Sequence, residues 1–162
     1  MGVEQIIGVV GSEEKSSIAK GFGCDEVVIT KEGVDLYQQI YDLTDGQGAN
    51  AIYDGVGGDQ VKNAITYLAP YGIYINFGDA AGKATNINLE QLSINSTYIT
   101  KPILHLYKSN RYELVLAANE LFSLLEKKTI RPKFNNYQLK QLPKVHHALE
   151  NRKTTGSCVI TL

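Results

Sequence analysis

Residues 6–15, Ile-Ile-Gly-Val-Val-Gly-Ser-Glu-Glu-Lys, decide the fold class of this chain. Ile6 to Val10 is a short apolar run, which is typical of a buried strand in a parallel sheet. Gly11 and Ser12 follow at once, and Glu13 then opens a segment with helical periodicity. A strand that turns into a helix over two residues is the first half of a βαβ unit. The stretch therefore predicts an α/β fold.

Apolar runs and amphipathic segments alternate along the rest of the chain, as in proteins with a parallel sheet. The predicted strands are Ile6–Val10, Glu26–Thr30, Ala51–Asp54, Ile73–Phe77, Tyr98–Thr100, a strand near Asn136–Leu139, and Cys158–Leu162. The predicted helices are Glu13–Gly21, Asp35–Thr44, Gln60–Leu68, Arg111–Lys127 and Leu142–Arg152. Residues 78–95 are polar and irregular, so we expect a long loop of the kind that often lines a site.

The composition is that of an ordinary globular protein, with 162 residues, 43% of them hydrophobic and 20% charged. The net charge of −1 and the absence of a basic run disfavour a nucleic-acid partner. No apolar stretch approaches the ~20 residues that span a bilayer, and the first residues lack the features of a signal peptide. Cys24 and Cys158 are far apart, which argues against a disulfide framework or a zinc cluster and favours a reducing cytoplasm.

The tip of the first predicted strand indicates which nicotinamide cofactor fits. At the tip of the second strand of a dinucleotide-binding sheet, Asp or Glu binds a free adenosine ribose and would repel a 2′-phosphate. Here that position carries small, neutral Gly11 and Ser12, with Lys15 one helical turn later. This chemistry favours NADP, although Lys15 is equally explained as a solvated helix lysine. Glu13 and Glu14 suit the helix dipole and would not help to bind a phosphate.

Glycines follow the third and fourth predicted strands. Residues 55–58, Gly-Val-Gly-Gly, fail the Gly-x-Gly-x-x-Gly phosphate fingerprint because Gln60 takes the third glycine's place. A plain strand-to-helix turn explains their small size, whereas their place at the carboxyl end of a strand favours proximity to a ligand. Phe77 is either core or a cofactor contact, and Gly78 at a strand exit suits close approach by a nicotinamide or its ribose.

No residue pattern indicates a catalytic triad or a metal site. The three histidines, His105, His146 and His147, show no metal-ligand spacing with cysteines or carboxylates. No Ser-His-Asp or Cys-His arrangement and no carboxylate pair is suggested by spacing. We therefore expect neither a metal ion nor a catalytic side chain in this chain.

Five motifs occur in the order and at the spacing of a known family, at residues 11–15, 52–57, 76–79, 100–102 and 152–157. Together they resemble the zinc-free quinone oxidoreductases, the zeta-crystallin-like branch of the medium-chain dehydrogenase/reductase family. The resemblance covers nearly the whole chain. It implies a Rossmann-like parallel sheet with flanking helices, NADP as the cofactor, and hydride transfer to a quinone or an activated alkene.

The resemblance also implies that this chain corresponds to the C-terminal portion of such an enzyme, because the family's two-domain chains are about twice as long. It would lack the catalytic barrel, the first Rossmann strand and the glycine-rich turn. Residues 1–128 would form a partial NADP-binding Rossmann domain, and residues 129–162 would complete the catalytic domain. In the order 3-2-1-4-5-6, the first strand lies between those at Ile6–Val10 and Ala51–Asp54. Either these two pair directly, which we expect, or a segment of another chain fills the gap.

The cofactor-binding residues that the resemblance implies are Gly11, Ser12, Lys15, Thr30, Gly55, Gly57, Phe77, Gly78 and Asp79. The first three would surround the adenosine 2′-phosphate, Gly55 and Gly57 would flank the cofactor, and the last three would contact the nicotinamide end. Thr30 takes a place near the adenine where many relatives have a Tyr or His that stacks. No catalytic residue is implied, since the hydride chemistry belongs to the cofactor.

The implied partners are a small-molecule quinone or enone and a second copy of the chain. In the family, the strand represented by Tyr98–Thr100 lies at the sheet edge and pairs with its twin across a two-fold axis. Neither nucleic acid nor a membrane is expected as a partner. Two alternatives remain: a non-catalytic remnant or interaction module that keeps the fold, and an unrelated α/β domain such as a flavodoxin-like protein. The second alternative fits the alternation but not the ordered motifs.

Overall fold

The computed structural model describes residues 2–31, 33–85 and 87–162 and confirms the α/β fold, with every strand pair parallel. The chain divides into two compact units, Met1–Tyr107 and Lys108–Leu162. The functional boundary between residues 128 and 129 stays a prediction.

The first unit contains five strands and five α-helices among the described residues. The strands are β1 (Ile7–Val10), β2 (Glu26–Ile29), β3 (Ala49–Asp54), β4 (Leu68–Asn76) and β5 (Tyr98–Thr100). The helices are α1 (Glu13–Gly21), α2 (Leu36–Leu43), the single turn α3 (Val61–Ala64), α4 (Leu89–Ile94) and α5 (Leu104–Tyr107). The strand predicted at Tyr98–Thr100 therefore forms at the predicted residues.

The first unit holds two separate sheets. In one, β1 pairs with β2, and Val10 lies opposite Ile29. In the other the order is β3-β4-β5, with Asp54 opposite Asn76 and Ile75 opposite Thr100. Among the described residues β1 and β3 do not pair, so the expected direct closure of these two strands is wrong. In the Rossmann order 3-2-1-4-5-6, β1 and β2 correspond to strands 2 and 3, and β3, β4 and β5 correspond to strands 4, 5 and 6. Strands 2 and 4 of that order, which are β1 and β3 here, are not neighbours.

The core of the larger sheet forms around four buried side chains, Val61, Ile65, Leu68 and Tyr74. Leu68 and Tyr74 both belong to β4 and are fully buried. Burying a side chain of this size contributes about 1.5–3 kcal/mol to stability. Ile52 of β3 and Ile99 of β5 pack against this core, which therefore joins the central strand β4 to both of its neighbours.

Two predictions near β4 are wrong. The helix expected over Gln60–Leu68 is broken into α3 and flanking 3₁₀ turns, because Leu68 instead pairs with Ala49 and starts β4. The β3–β4 register shifts between Ala49 and Ala51, opposite a part of β4 that contains Pro70, which has no N–H to donate, and Tyr71, which takes a φ of 62°. The loop expected over residues 78–95 contains α4, which begins where the Asn88 side chain accepts a hydrogen bond from the Glu90 N–H.

The second unit consists of α6 (Arg111–Glu126), β6 (Phe134–Gln138), α7 (Leu142–Glu150) and β7 (Ser157–Thr161). β6 and β7 are parallel, and α7 connects them with Val145 buried. None of the helices over the described ranges combines the length and the apolar character that a bilayer-spanning segment needs. Cys24 and Cys158 are both free thiols.

Candidate functional site

The carboxyl end of β1 presents a small, neutral surface beside a helix N-terminus. The Ser12 hydroxyl accepts a hydrogen bond from the Lys15 N–H at 3.4 Å and so caps α1. Gly11 lies in open space, because a Cβ atom there would have no described neighbour within 4 Å. The fold itself therefore gives no packing reason for glycine at this position.

The end of β2 lies against the same strand tip. The Thr30 N–H and hydroxyl both donate to the Val10 carbonyl, at 2.8 and 3.2 Å. The next residue, Lys31, pairs through its ammonium with the Glu13 carboxylate at 3.2 Å. Both side chains of this pair are exposed, so it adds little stability. It does, however, offset the negative charge that Glu13 places in the first turn of α1.

The loops that follow β3 and β4 pack backbone against backbone. A Cβ atom at Gly78 would lie 2.5 Å from the Gly55 carbonyl oxygen, and one at Gly55 would lie 3.0 Å from the Phe77 ring. Gly57 has a φ of 64°, and a Cβ atom there would lie 2.8 Å from the Gly78 carbonyl oxygen. Phe77 is 61% exposed, so it is not a core residue. These glycines are required by loop packing.

Asp54, the last residue of β3, organises its own loop. Its carboxylate accepts hydrogen bonds from the Val56 N–H at 2.6 Å and from the Gly57 N–H at 3.1 Å, and it also accepts from the Tyr74 hydroxyl. Burial raises the pKa of Tyr74 above its usual value of 10.0, and the hydrogen bond to Asp54 raises it further. The phenol therefore stays protonated and donates to the carboxylate.

A second polar network joins the ends of β4 and β5. The Lys101 ammonium donates to the Asn76 side-chain oxygen at 2.7 Å and lies 2.5 Å from an Asp79 carboxylate oxygen. The side-chain nitrogen of Asn76 donates to the Gly78 carbonyl at 2.9 Å. The ends of two neighbouring strands and the loop after β4 are therefore connected by polar side chains.

A cavity of about 510 Å³ opens beside this network. Its polar wall comes from Asn76, Asp79, Lys83 and Lys101, and its apolar wall includes Val61, Ile87 and Ile99. It lies at the carboxyl ends of parallel strands, which is where open α/β sheets bind ligands.

The donor set suits a nicotinamide dinucleotide phosphate better than a metal ion. Gly11 leaves space at a strand tip, and Ser12 and Lys15 place a hydroxyl and a cation at the start of a helix. Within residues 2–31, 33–85 and 87–162, no group of three His, Cys, Asp or Glu side chains could hold a metal ion.

The nine residues expected to bind a cofactor fall into two groups. Four lie around the ends of β1 and β2: Gly11, Ser12 and Thr30 directly follow the strands, and Lys15 is in the first turn of α1. Five lie at the ends of β3 and β4: Gly55, Gly57, Phe77, Gly78 and Asp79. Their role in binding stays a prediction.

Four polar residues at or near the strand ends have no predicted role in the sequence. They are Asp54, Tyr74, Asn76 and Lys101, and all four are joined in the hydrogen-bond networks described above. Asp54 ends a predicted strand, Lys101 directly follows one, and Asn76 is the last residue but one of the strand predicted at Ile73–Phe77. The carboxyl ends of neighbouring parallel strands meet at one edge, so this position was a usable signal.

The sequence of this chain is similar to those of known dehydrogenases and reductases. Residues 1–120 match the family model described as zinc-binding dehydrogenase. Quinone oxidoreductase of Pseudomonas aeruginosa is 36% identical over 158 residues, which cover 96% of this chain and 48% of that protein. The 2-haloacrylate reductase of a Burkholderia species is 30% identical over 158 residues, covering 96% of this chain and 47% of that protein.

A solved structure shows the same relationship. The crystal structure of Escherichia coli quinone oxidoreductase complexed with NADPH has a TM-score of 0.89 and 33% identity, over 98% of this chain and 49% of that one. The chain thus spans about half the length of the relatives it matches. The predicted resemblance to the quinone oxidoreductases is confirmed.

Proposed function

The chain belongs to the zinc-binding dehydrogenase family, and on this premise we propose that it is the cofactor-binding portion of an NADPH-dependent quinone oxidoreductase. NADPH would supply the hydride, and a quinone or a related activated alkene or carbonyl would accept it. The relatives named quinone oxidoreductase and 2-haloacrylate reductase support this substrate class. The observation that carries the proposal is the tip of β1, where open space at Gly11 is followed by the Ser12 cap and by Lys15 in the first turn of α1.

The adenosine end of the cofactor would bind at β1 and β2. Gly11 lets a ligand approach the backbone, Ser12 caps the helix, and Lys15 supplies positive charge for the 2′-phosphate. Lys31 offsets the charge of Glu13, which would otherwise repel a phosphate. Thr30 sits beside the same tip and has no ring to stack on an adenine.

The nicotinamide end would bind at β3 and β4. Gly55 and Gly57 would flank the cofactor, and Phe77, Gly78 and Asp79 would contact the nicotinamide and its ribose. The exposure of the Phe77 ring supports this role, because an apolar ring at a strand end offers a surface for a planar group. These residues would bind and orient the cofactor, and none of them would transfer a proton.

The proposal extends to the partner and the compartment. A homodimer would form through β5, which is the last strand in the order β3-β4-β5 over the described residues and carries Tyr98 at 60% exposure. Further exposed apolar side chains follow it, including Ile103 and Leu104. Two free cysteines are in keeping with a reducing cytoplasm. Residues 1–128 would serve the cofactor, and residues 129–162 would complete the catalytic domain.

The test compares two purified proteins. One is the complete reading-frame product, meaning the protein translated from the whole open reading frame that contains this sequence, and the other is the 162-residue chain alone. We expect the former to oxidise NADPH in the presence of a soluble benzoquinone. The chain alone should show no measurable turnover, because it has no glycine-rich turn for the pyrophosphate. A reading-frame product that binds NADPH but reduces no quinone or enone would favour a non-catalytic module. Robust turnover by the purified chain alone would show that the assignment to a cofactor-binding portion is wrong.

A further inference from the structure

The Lys101 ammonium occupies a position where the ends of two strands meet the loop at Phe77–Asp79, here called the nicotinamide-side loop. It contacts the Asn76 amide oxygen at 2.7 Å and the Asp79 carboxylate at 2.5 Å. Asn76 precedes this loop and Asp79 ends it. The Lys101 ammonium therefore contacts the residue before the nicotinamide-side loop and the last residue of that loop.

The contact with Asn76 decides which way its side-chain amide points. Asn76 is 3% exposed, so its amide must find partners within the protein. With the oxygen toward Lys101, the nitrogen donates to the Gly78 carbonyl at 2.9 Å. The reversed amide would place its NH₂ group against the ammonium and its oxygen against a carbonyl oxygen. The cation therefore favours the orientation that holds Gly78.

The position of Gly78 matters to the neighbouring loop as well. Its carbonyl oxygen lies close to Gly57, and its Cα lies against the Gly55 backbone. A shift of the nicotinamide-side loop would therefore disturb both loops at the ends of β3 and β4.

We propose that Lys101 is a positioning residue for hydride transfer, acting through Asn76 and Asp79 to hold the nicotinamide-side loop. The inference rests on the proposed function. Lys101 would not touch the reacting atoms. It would instead set the loop that Phe77 and Gly78 present to the cofactor, while the adenosine end binds independently at β1.

The alternative is that Lys101 is an ordinary surface lysine. Its side chain is 56% exposed, and exposed ion pairs stabilise proteins only slightly. Its removal should therefore leave the chain folded, which makes local effects measurable. Lys101→Met removes the cation and keeps an unbranched side chain, whereas Lys101→Arg keeps the charge and the donors.

Hydrogen exchange in the 162-residue chain tests the contact without any cofactor. The Ala81 N–H donates to the Val56 carbonyl and the Gly82 N–H to the Asp79 carbonyl. In Lys101→Met we expect these two amides to exchange about tenfold faster, and in Lys101→Arg within about twofold of the wild type. The Thr30 amide, in the other sheet, is the internal reference. Unchanged exchange at Ala81 and Gly82 in Lys101→Met would overturn the inference.

Steady-state kinetics of the complete reading-frame product test the catalytic consequence. Lys101→Met should lower kcat about tenfold and change the KM for NADPH less than about threefold, because the loss falls on orientation at the reacting end. Lys101→Arg should restore most of the kcat. A Lys101→Met enzyme with wild-type kcat would overturn the inference even if the proposed function holds. A wild type that oxidises no NADPH would refute the proposed function, and hydrogen exchange would then decide the positioning role alone.

Discussion

The Tyr74 hydroxyl donates a hydrogen bond to the Asp54 carboxylate across the β3–β4 ladder. Tyr74 is fully buried, and the same carboxylate accepts the Val56 and Gly57 N–H groups. A core side chain thus holds the loop at the end of β3. The link connects the packing of the sheet to the loops that would bind the cofactor.

Tyr74→Phe should destabilise the chain while keeping its fold. The ring still fills its place in the core, but Asp54 loses a donor, and a hydrogen bond to a charged group is worth about 1.5–3 kcal/mol. Urea unfolding followed by circular dichroism measures the difference. Tyr53→Phe on β3 is the matched control, because Tyr53 is 72% exposed and should change stability by less than about 0.5 kcal/mol. Equal losses in the two variants would contradict this account.

Stability should fall at alkaline pH partly because of the same residue. The pKa of Tyr74 is raised above 10.0, so above that pH the unfolded chain releases a proton that the folded chain keeps. The stabilisation is complete below the unfolded-state pKa and is lost as the pH rises toward the folded-state pKa. This group alone should lower the free energy of unfolding by up to about 1.4 kcal/mol per pH unit in that range.

Urea unfolding of the wild type and Tyr74→Phe at about pH 9, 10 and 11 checks the pH dependence. The slope of stability against pH should be shallower in the variant, since it lacks the titrating phenol. The other tyrosines contribute equally to both proteins. Parallel slopes would show that Tyr74 titrates normally.

Lys15→Ala should raise the KM for NADPH about ten- to hundredfold in the complete reading-frame product and change the KM for NADH little. A charge-assisted contact with a phosphate is worth about 1.5–3 kcal/mol, and about 1.4 kcal/mol corresponds to a factor of ten. Lys20→Ala, in the last turn of the same helix, is the control and should leave both constants unchanged. Equal losses for NADPH and NADH in Lys15→Ala would argue against a 2′-phosphate contact.

Two glycines that look alike in the sequence should respond differently to alanine. Gly78→Ala should destabilise the chain by about 1–3 kcal/mol, because its Cβ would lie 2.5 Å from the Gly55 carbonyl oxygen. Gly11→Ala should leave stability within about 0.5 kcal/mol and weaken NADPH binding instead, since its Cβ would meet only open space in the chain. Thermal melting of the chain measures the change in stability, and an NADPH titration of the complete reading-frame product measures the change in cofactor binding. A stable Gly78→Ala variant would remove the packing role assigned to that glycine.

The contrast between these glycines shows what the sequence could and could not predict. Alternating apolar runs predicted the strands and most helices, because burial follows local periodicity. The loop contacts of Gly55 and Gly78 depend on two segments about twenty residues apart, which no local pattern reports. The same holds for Leu68, whose helical spacing was overridden by its pairing with Ala49. The contacts of Lys101 with Asn76 and Asp79 likewise depend on the pairing of β4 with β5, which no local pattern predicts.

The separation of the two sheets in the first unit was also not predicted from the sequence. Direct pairing of β1 and β3 was expected because unpaired strand edges are costly. In the described residues β1 pairs with β2, with Val10 opposite Ile29, and β3 pairs with β4, with Asp54 opposite Asn76, and the other edges of β1 and β3 do not pair with each other. The observed pairings match the order 3-2-1-4-5-6 that the family resemblance implies, in which these two strands are not neighbours.

Tyr98→Lys should convert the proposed dimer into a monomer. Tyr98 is 60% exposed on β5, and pairing across a two-fold axis would bring two introduced ammonium groups together at the edge. Sedimentation velocity at high protein concentration measures the assembly state. Tyr53→Lys introduces the same charge at a 72% exposed site on β3, at the opposite edge of the sheet, and should leave the dimer intact. A wild-type chain that sediments as a monomer, or a Tyr98→Lys variant that remains a dimer, would rule out assembly through β5.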